Sequence, residues 1–445
     1  MDTPICDFAR NYAEKGALRL HMPGHKGNGP LGIERLDITE FDGADSLYEA
    51  SGIIKKSEEN ASALFGANTF YSAEGSSLCI RAMLYLAVLN AKKEDMKPLI
   101  LAGRNAHKTF INTVAMLDFD VEWLYGEMEK SYLSCDISPK ALEEKIKTMS
   151  KKPTAVYITS PDYLGNMVDI QGIADVCHKY GILLLVDNAH GAYLKFLDKS
   201  LHPMDMGADI CCDSAHKTLP VLTGGAYLHI SKNIDEWFSD NAKTALSMFG
   251  STSPSYLILQ SLDAVNAYIT DEYRYKLSRF SMAVAKCKER LLEHGYDVIG
   301  IEPLKITVGT KAYGYTGYEI KTELAKKNIV CEFYDNDFVV LMLTPDAEID
   351  GLRRIENAFF SLSKKSCIKA KPPKMHISEK VMSIREAVFS KNETVSACDS
   401  EGRVLALSSV GCPPAVPIVV CGERIDKSAV ENFKYYGIEN IIVVN

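Results

Sequence analysis

The sequence lacks the features that mark several common classes of protein. It has no uninterrupted apolar run near the roughly 20 residues that a membrane-spanning helix requires, and no signal-peptide pattern at its start. Its twelve cysteines are scattered, without a C-x-x-C pair or zinc-ligand spacing. We therefore expect no membrane association and no metal site, and we predict a cytoplasmic protein with free thiols.

A basic stripe is also absent. The formal net charge is −8, and cationic residues do not cluster along the chain, so we expect no nucleic-acid partner. The segment Pro23-Gly-His-Lys-Gly27 lacks P-loop spacing and follows no clear strand, which argues against nucleotide binding there. With 445 residues, 47% of them hydrophobic, the chain is typical of a soluble globular protein of two or three domains.

After an irregular first sixty residues, short apolar runs alternate with helical patterns. The runs that predict strands are Asn68–Ser72, Pro98–Ala102, Ala155–Thr159, Ile182–Val186, Ile210–Cys212 and Ala226–Ile230. The clearest helical patterns are Lys55–Phe65, which closes at Gly66, then Ser76–Asn90 and Ile173–Tyr180. This alternation predicts a mainly parallel sheet covered on both faces, with ligands bound beyond the carboxyl ends of its strands.

The character of the chain changes after about residue 265. A small α+β domain is predicted here. Its helices are Tyr273–Gly295 and Ile349–Ser363, and its strands are Val330–Tyr334 and Phe338–Leu343. A Lys- and Pro-rich linker, Lys369–Lys374, precedes the C-terminal segment. We predict an α/β protein of three parts: residues 1–265 (N-terminal segment and large domain), 266–368 (small domain) and 375–445 (C-terminal domain).

Gly75, Ser76 and Ser77 open a predicted helix directly after a strand. Backbone N–H groups, two hydroxyls and the positive end of the helix dipole suit a phosphate group. Serine is equally favoured as an ordinary helix cap, so these residues alone leave both interpretations open.

Two charged residues follow other apolar strands. Asp187 ends Leu183–Asp187, where a buried carboxylate requires a positive partner such as the protonated ring nitrogen of pyridoxal 5'-phosphate (PLP). Lys217 follows Ile210–Cys212, and a lysine in such a pocket acts as a Schiff-base nucleophile. Taken singly, an Asp that caps a loop and a lysine on the surface are the commoner roles.

The order of these features decides between the interpretations. A phosphate cradle, then a strand-end Asp, then a strand-end Lys thirty residues later is the linear order of a PLP enzyme of fold type I. Ser214 and His216 flank the lysine and add donors for the phosphate. We therefore predict that Lys217 binds PLP as an internal aldimine, which indicates an enzyme that acts on an amino acid.

The chain also resembles the Orn/Lys/Arg decarboxylase family, in its short branch without an N-terminal wing domain. The resemblance runs over nearly the whole chain, and a first group of motifs is His21-Met-Pro-Gly-His-Lys-Gly27, Asp37–Leu47, Phe65-Gly-Ala67, Gly75-Ser-Ser77 and Arg104-Asn-Ala-His-Lys108. A second group is Val186-Asp-Asn-Ala-His-Gly191, Ser214-Ala-His-Lys-Thr-Leu-Pro220, Ser251–Tyr256 and Cys412-Pro-Pro-Ala-Val-Pro417. Departures from the family pattern near the expected cofactor are Glu74, Ile80, Asn188 and Pro161–Gly165.

The resemblance implies roles for individual residues. Lys217 would be the aldimine lysine, Asp187 the partner of the ring nitrogen, His107 a residue stacked on the ring, and His190 a neighbour of its O3' side. The residues that would hold the phosphate are Gly75, Ser76, Ser77, Ser214 and His216. Ser251 and Thr252 would reach the phosphate of a neighbouring subunit in a homodimer or a larger homo-oligomer.

The predicted function is PLP-dependent decarboxylation of arginine, lysine or ornithine to the amine and CO2, as in polyamine metabolism. An aminotransferase or another lyase of the same fold is the nearest alternative, although Phe338–Thr344 lacks the arginine that aminotransferases use for the α-carboxylate. A non-catalytic PLP-binding relative is a second alternative, which an intact Lys217, Asp187 and His107 oppose. Candidate partners for a cationic substrate are Asp42, Asp45, Tyr48 and Glu423.

Overall fold

The computed structural model describes residues 1–126, 131–374, 376–408 and 414–445, except for the side chain of Glu348. Cys412 and Pro413 of the C-terminal motif lie outside the described residues. The strands are β1 (Asn68–Ser72), β2 (Leu99–Gly103), β3 (Asp120–Leu124), β4 (Ala155–Thr159), β5 (Leu183–Asp187), β6 (Ile210–Asp213), β7 (Ala226–Ile230), β8 (Asp297–Ile299), β9 (Lys305–Gly309), β10 (Phe333–Tyr334), β11 (Phe338–Met342), β12 (Asn392–Ser396), β13 (Leu405–Leu407) and β14 (Asn440–Val444).

The α-helices precede these strands or lie between them in sequence. They are α1 (Pro4–Glu14), α2 (Ile53–Phe65), α3 (Gly75–Lys93), α4 (Lys108–Leu117), α5 (Pro139–Thr148), α6 (Ile170–Lys179), α7 (Ala215–Thr218), α8 (Trp237–Asp240), α9 (Ala242–Ser247), α10 (Tyr256–Tyr268), α11 (Arg274–Glu293), α12 (Gly317–Ala325), α13 (Glu348–Phe360), α14 (Ile384–Phe389) and α15 (Lys427–Tyr435). None of these helices is both long and apolar enough to cross a membrane.

One compact unit comprises Met1–Met96 and Ile170–Ser278. Its strands follow the order β1-β7-β6-β5. β5 and β6 are parallel, with Asp187 opposite Cys212, whereas β7 runs antiparallel to both β6 and β1. β6 and β7 are buried along their whole length, which explains why they are continuous apolar runs in the sequence.

The second compact unit comprises Lys97–Asp169 and Arg279–Asn445. In it β2 pairs in parallel with both β3 and β4. It also contains a four-stranded antiparallel sheet, in the order β10-β11-β9-β8, and a three-stranded antiparallel sheet, in the order β12-β14-β13. The parallel pairings of β2 and of β5 confirm the predicted α/β fold class, a large sheet that is mainly parallel. The three predicted domain ranges remain predictions.

Most predicted elements are present, but the first sixty residues are not wholly irregular, because α1 spans Pro4–Glu14. The first N–H groups of this helix need an acceptor outside it. The Asp263 carboxylate provides one, since its Oδ2 accepts from the backbone N–H groups of Ile5 at 2.9 Å and Cys6 at 3.0 Å. This cap comes from α10, far along the chain, so no local pattern indicates it.

A buried acidic turn connects β10 and β11 in the second unit. Asp335 Oδ1 accepts hydrogen bonds from the backbone N–H groups of Asp337 and Phe338, both at 2.7 Å, which fixes the turn. Among the described residues, the buried Oδ2 of Asp335 has no hydrogen-bond partner. Burial, with a further contribution from the negative charge of Asp337, raises the pKa of Asp335 to about 6.

This raised pKa makes stability depend on pH. The Asp335 contribution is fully present at a pH below the ordinary aspartate pKa and is lost as pH rises through about 6. Asp335→Asn keeps the acceptor oxygen and cannot ionise. We expect it to raise the thermal unfolding temperature at about pH 8 and to change it little at about pH 4. Circular dichroism melts at both pH values test this, with the exposed Glu401→Gln as control; equal effects of Asp335→Asn at both pH values would contradict it.

Candidate active site

Lys217 lies where the sequence places it, in the short helix α7 just beyond the carboxyl end of β6. Its Nζ is 3.0 Å from Nε2 of His190, which is 6% exposed. An ammonium group only donates hydrogen bonds, so His190 Nε2 is the acceptor when the lysine is protonated. The pair can therefore share one proton.

Asp187 ends the neighbouring parallel strand β5 and is 3% exposed. Its Oδ1 accepts from the Ala189 backbone N–H at 3.2 Å and from the Cys212 thiol at 3.7 Å. Because β5 and β6 are parallel, their carboxyl ends lie at the same edge of the sheet. The structure thus brings a carboxylate and the lysine together at the edge where ligands bind in α/β sheets.

The residues predicted to hold a phosphate lie together in the first unit. α3 begins at Gly75, whose φ of +71° lies in the region that favours glycine. Its N–H donates to the Gly224 carbonyl at 2.7 Å. The Ser214 hydroxyl donates to the Ser76 hydroxyl at 2.8 Å, which leaves the Ser76 hydrogen available for an acceptor at the positive end of the helix. Ser77 occupies the same first turn of α3.

One ring nitrogen of His216 is already hydrogen-bonded within the protein, so only the other is available to a ligand. A carbonyl can only accept, so His216 Nδ1 carries the hydrogen of the 3.0 Å contact with the Gly225 carbonyl. Burial, and then the positive charge of Lys217, lower the pKa of His216 despite this hydrogen bond. Nε2 of the neutral ring is an acceptor, so the predicted phosphate contact of His216 requires a protonated ring.

Ser251 and Thr252 are exposed residues of the same unit. The Ser251 backbone N–H donates to Oε1 of Glu74 at 2.6 Å, and Glu74 directly precedes α3. Glu74, one of the departures from the family pattern, therefore holds the loop with Ser251 and Thr252, which is predicted to reach a neighbouring subunit. That contact with a neighbour stays a prediction.

His107 belongs to the second unit, where it caps the N-terminus of α4. Its Nδ1 accepts from the Thr109 backbone N–H at 3.1 Å, which fixes the imidazole relative to the helix and places the ring hydrogen on Nε2. The predicted stacking of His107 on a cofactor ring stays a prediction.

The residues predicted to contact a cationic substrate differ in the hydrogen bonds that they already make within the protein. The Asp45 carboxylate caps α2 and its preceding turn, accepting from the backbone N–H groups of Ser51, Gly52 and Ile54. The Tyr48 hydroxyl is buried and, among the described residues, has no hydrogen-bond partner. Glu423, in the second unit, accepts from Val420 N–H at 2.7 Å and contacts Arg104 at 3.4 Å. Asp42 is exposed.

Comparison with known proteins identifies the chain. The family model described as "Orn/Lys/Arg decarboxylase, major domain" matches residues 3–307. This chain belongs to the Orn/Lys/Arg decarboxylase family. It is thereby an enzyme, a decarboxylase of the PLP-dependent kind, as the sequence motifs predict.

The alignments with known relatives extend over almost the whole length of this decarboxylase. It is 29% identical over 462 residues to the uncharacterized protein YaaO of Bacillus subtilis, covering 97% of this chain and 93% of that one. It is 26% identical over 472 residues to an arginine decarboxylase of B. subtilis, covering 98% and 93%. The crystal structure of the Francisella novicida lysine decarboxylase LdcF matches with a TM-score of 0.81 at 17% identity, covering 100% of this chain and 81% of that one. The last match confirms PLP fold type I.

The residues of the first unit fit the cofactor that this fold implies. Gly75 leaves the start of α3 uncovered, since the atom nearest to a Cβ built there is His216 Cε1 at 4.0 Å. Two hydroxyls meet at that helix end, and a buried carboxylate and a lysine amine lie at adjacent strand ends. Together they supply donors for a phosphate, an anion for a pyridinium nitrogen and an amine for an aldehyde.

Gly75→Ala tests this helix start in the decarboxylase. A Cβ at φ +71° is strained, so we expect a loss of about 1–2 kcal/mol in unfolding free energy and weaker binding of PLP. The control is Gly351→Ala within α13, where the nearest described atom to a new Cβ is Ala347 Cβ at 3.8 Å, an ordinary contact distance. This substitution should stabilise the helix by about 0.5–1 kcal/mol. Urea unfolding and PLP titration measure both variants; a stabilised Gly75→Ala would contradict the assignment.

Proposed function

We propose that this decarboxylase removes CO2 from a basic L-amino acid, namely arginine, lysine or ornithine, with PLP bound at Lys217. The 3.0 Å contact between Lys217 Nζ and His190 Nε2, at the strand edge that also carries Asp187, is the observation on which the proposal depends. The relatives are named for arginine and lysine, which supports a basic substrate. The product amine would enter polyamine-type metabolism.

PLP supplies an electron sink for the pair released when a bond at the substrate Cα breaks. In this site the Asp187 carboxylate would hold a proton at the ring nitrogen. Ser76 and Ser214 would donate to the phosphate, together with the N–H groups of the first turn of α3. These residues bind and orient the group without taking part in the bond cleavage.

Proton transfer falls to Lys217 and His190. His190 Nε2 can take the proton of the Lys217 ammonium, which yields the neutral amine that a nucleophile requires. The same pair can return a proton to the substrate Cα after CO2 has left. His216 is not suited to act as an acid, because its pKa is lowered by burial and its ring hydrogen is donated to Gly225.

The negative charge around Tyr48 supports a substrate with a cationic side chain. Burial, and then the negative charges of nearby groups, first that of Glu74 and also that of Glu40, raise the pKa of Tyr48 to about 12. Anionic groups thus lie near a neutral hydroxyl that lacks a protein partner in the described ranges. A positively charged substrate group would gain from this field, whereas an acidic substrate would not.

An aminotransferase of the same fold is the alternative that the experiment must separate. Two arginines that follow β11 in sequence are already bound elsewhere: Arg353 contacts Asp350 in α13, and Arg354 donates to the carbonyls of Lys327 and Asn328. Neither lies on β11. A leaving carboxylate also gains nothing from a tight arginine clamp, which agrees with decarboxylation.

The test is product identification with the purified chain, PLP and each amino acid of a panel. We expect CO2 and the corresponding amine from one of the three basic substrates, with no keto acid. Lys217→Ala should abolish turnover and the visible absorbance of lysine-bound PLP, because no other amine replaces it at α7. Lys199→Ala, at an exposed lysine of the same unit, is the control. Keto acid formation, or full turnover by Lys217→Ala, would contradict the proposal.

We also propose that the enzyme is a homodimer in the cytoplasm. The N-terminal segment exposes several large apolar side chains close together in sequence, among them Leu18 (84%), Leu20 (83%) and Leu31 (78%), and such patches mark association surfaces. A second copy would cover them and would receive the Ser251–Thr252 loop. The described cysteines are all free thiols, which suits a reducing compartment.

Leu20→Lys tests the dimer. A charge placed within an apolar interface costs desolvation energy, so the variant should shift the mass measured by light scattering toward the monomer. Val330→Lys, at a residue that is 93% exposed in the second unit, is the matched control and should leave the mass unchanged. A wild-type chain that is monomeric at micromolar concentration would contradict the proposal.

A further inference from the structure

Asp213 is a fully buried carboxylate that the proposed reaction does not use. It ends β6, directly before Ser214, and its exposure is 0%. Its Oδ2 lies 3.0 Å from His202 Nε2 and 3.1 Å from His229 Nε2, and its Oδ1 accepts from the Asn188 amide at 2.7 Å. The histidines come from a turn after β5 and from β7, so one carboxylate connects several elements of the first unit.

The carboxylate is ionised, and each histidine presents an N–H donor to it, because a carboxylate oxygen can only accept. Burial opposes the charge, but His202 and His229 hold the pKa of Asp213 well below its ordinary value. Burial also lowers the pKa of His229. His202 Nδ1 accepts from the Met204 backbone N–H at 3.3 Å, which places the hydrogen of the neutral ring on Nε2. Asp213 is therefore a buried negative charge stabilised by N–H donors.

Other titratable groups also surround Asp213. They are Cys211 and Cys212 on β6, Cys79 on α3 and Tyr227 on β7, with Lys195 acting on His229. Ligand atoms of His202, Cys211 and Asp213 lie within 4.8 Å of one another, a spacing that a metal ion could use. Here both oxygens of Asp213 already accept hydrogen bonds from N–H donors, so the contacts describe a hydrogen-bond network.

Asn188 connects Asp213 with the turn that carries His190. Its backbone N–H donates to the Cys212 carbonyl at 3.0 Å, and its carbonyl accepts from Gly191 N–H at 2.8 Å. The turn Asn188–Gly191 thus closes around His190. The Asn188 side chain packs against this turn so closely that a Cβ on Gly191 would lie 2.0 Å from Asn188 Oδ1. The Asn188 amide and the Gly191 backbone are therefore in close contact.

We propose that Asp213 is a positioning residue for the Lys217–His190 pair, acting through the Asn188 amide and the turn Asn188–Gly191. This inference rests on the proposed function, since it assigns the pair to PLP chemistry. Asp213 fixes Asn188, Asn188 fixes the turn, and the turn holds His190 Nε2 at 3.0 Å from Lys217 Nζ. The acceptor at His190 and the buried negative charge both favour a protonated nitrogen at Lys217.

The readout is the pH titration of the visible absorbance of PLP bound to Lys217, which reports protonation at that nitrogen independently of turnover. The Asp213→Asn side chain has one acceptor oxygen instead of two. Its NH2 group would face either the Asn188 amide donor or the histidine N–H donors, and two donors cannot hydrogen-bond each other. We expect the titration midpoint to lie about one pH unit below that of the native enzyme. Asn188→Ala leaves the charge in place but breaks the connection, and it should lower the midpoint in the same direction.

An exchange of the two residues provides the rescue. In the double variant Asn188→Asp with Asp213→Asn, the new amide oxygen accepts from both histidines and the new amide NH2 donates to the new carboxylate. Each hydrogen bond of the native network is kept, with donor and acceptor exchanged between positions 188 and 213. We expect the midpoint to return to within a few tenths of a pH unit of the native value, even if Asp213→Asn alone folds poorly.

Asp263→Asn is the matched control, because it removes another buried carboxylate of the same unit, the one that caps α1. It should lower the unfolding temperature and leave the midpoint unchanged. A native midpoint in Asn188→Ala, or no rescue by the exchange, would overturn the inference. Absence of the absorbance band from the native chain mixed with PLP would instead overturn the proposed function, so the two failures are distinguishable.

Discussion

The parallel pairing of β5 with β6 determines where the functional groups of this enzyme lie. It places Asp187 opposite Cys212, so the residues that follow both strands, among them His190 and Lys217, emerge at one edge of the sheet. Both strands are continuous apolar runs, and their polar residues are confined to the ends. A shift in the register of this pair would separate the carboxylate, the imidazole and the amine.

Around this pairing, two buried carboxylates are held by hydrogen bonds. Asp213 accepts from two imidazoles and an amide, while Asp187 accepts from a backbone N–H and a thiol. Burying a carboxylate costs folding free energy unless its oxygens accept hydrogen bonds. The site therefore combines a preorganised anion with a lysine whose proton can move to a neighbouring histidine, which suits chemistry that makes and breaks a carbon–nitrogen bond.

Sequence reasoning succeeded where signals are local. β4 and β7 have the predicted bounds, and Gly66 ends α2 in the left-handed conformation, because apolar runs and helix-end glycines act within a few residues. It failed for α1, whose N-terminus is capped by Asp263 from α10. The role that we propose for Asp213 was not predicted either, although an aspartate at the end of an apolar strand was the signal that made Asp187 a candidate.

The sequence by itself determined the class of the protein: the order Gly75-Ser-Ser77, Asp187, Lys217 and the flanking motifs indicate a PLP-dependent decarboxylase, since a fold of this type fixes the order of its strand ends. Only the tertiary structure decided the partners of each side chain. Spacing along the chain does not reveal that Ser214 meets Ser76, that His190 meets Lys217, or that Asn188 reaches Asp213. Hydrogen bonds depend on distances of a few tenths of an ångström between segments that only packing brings together.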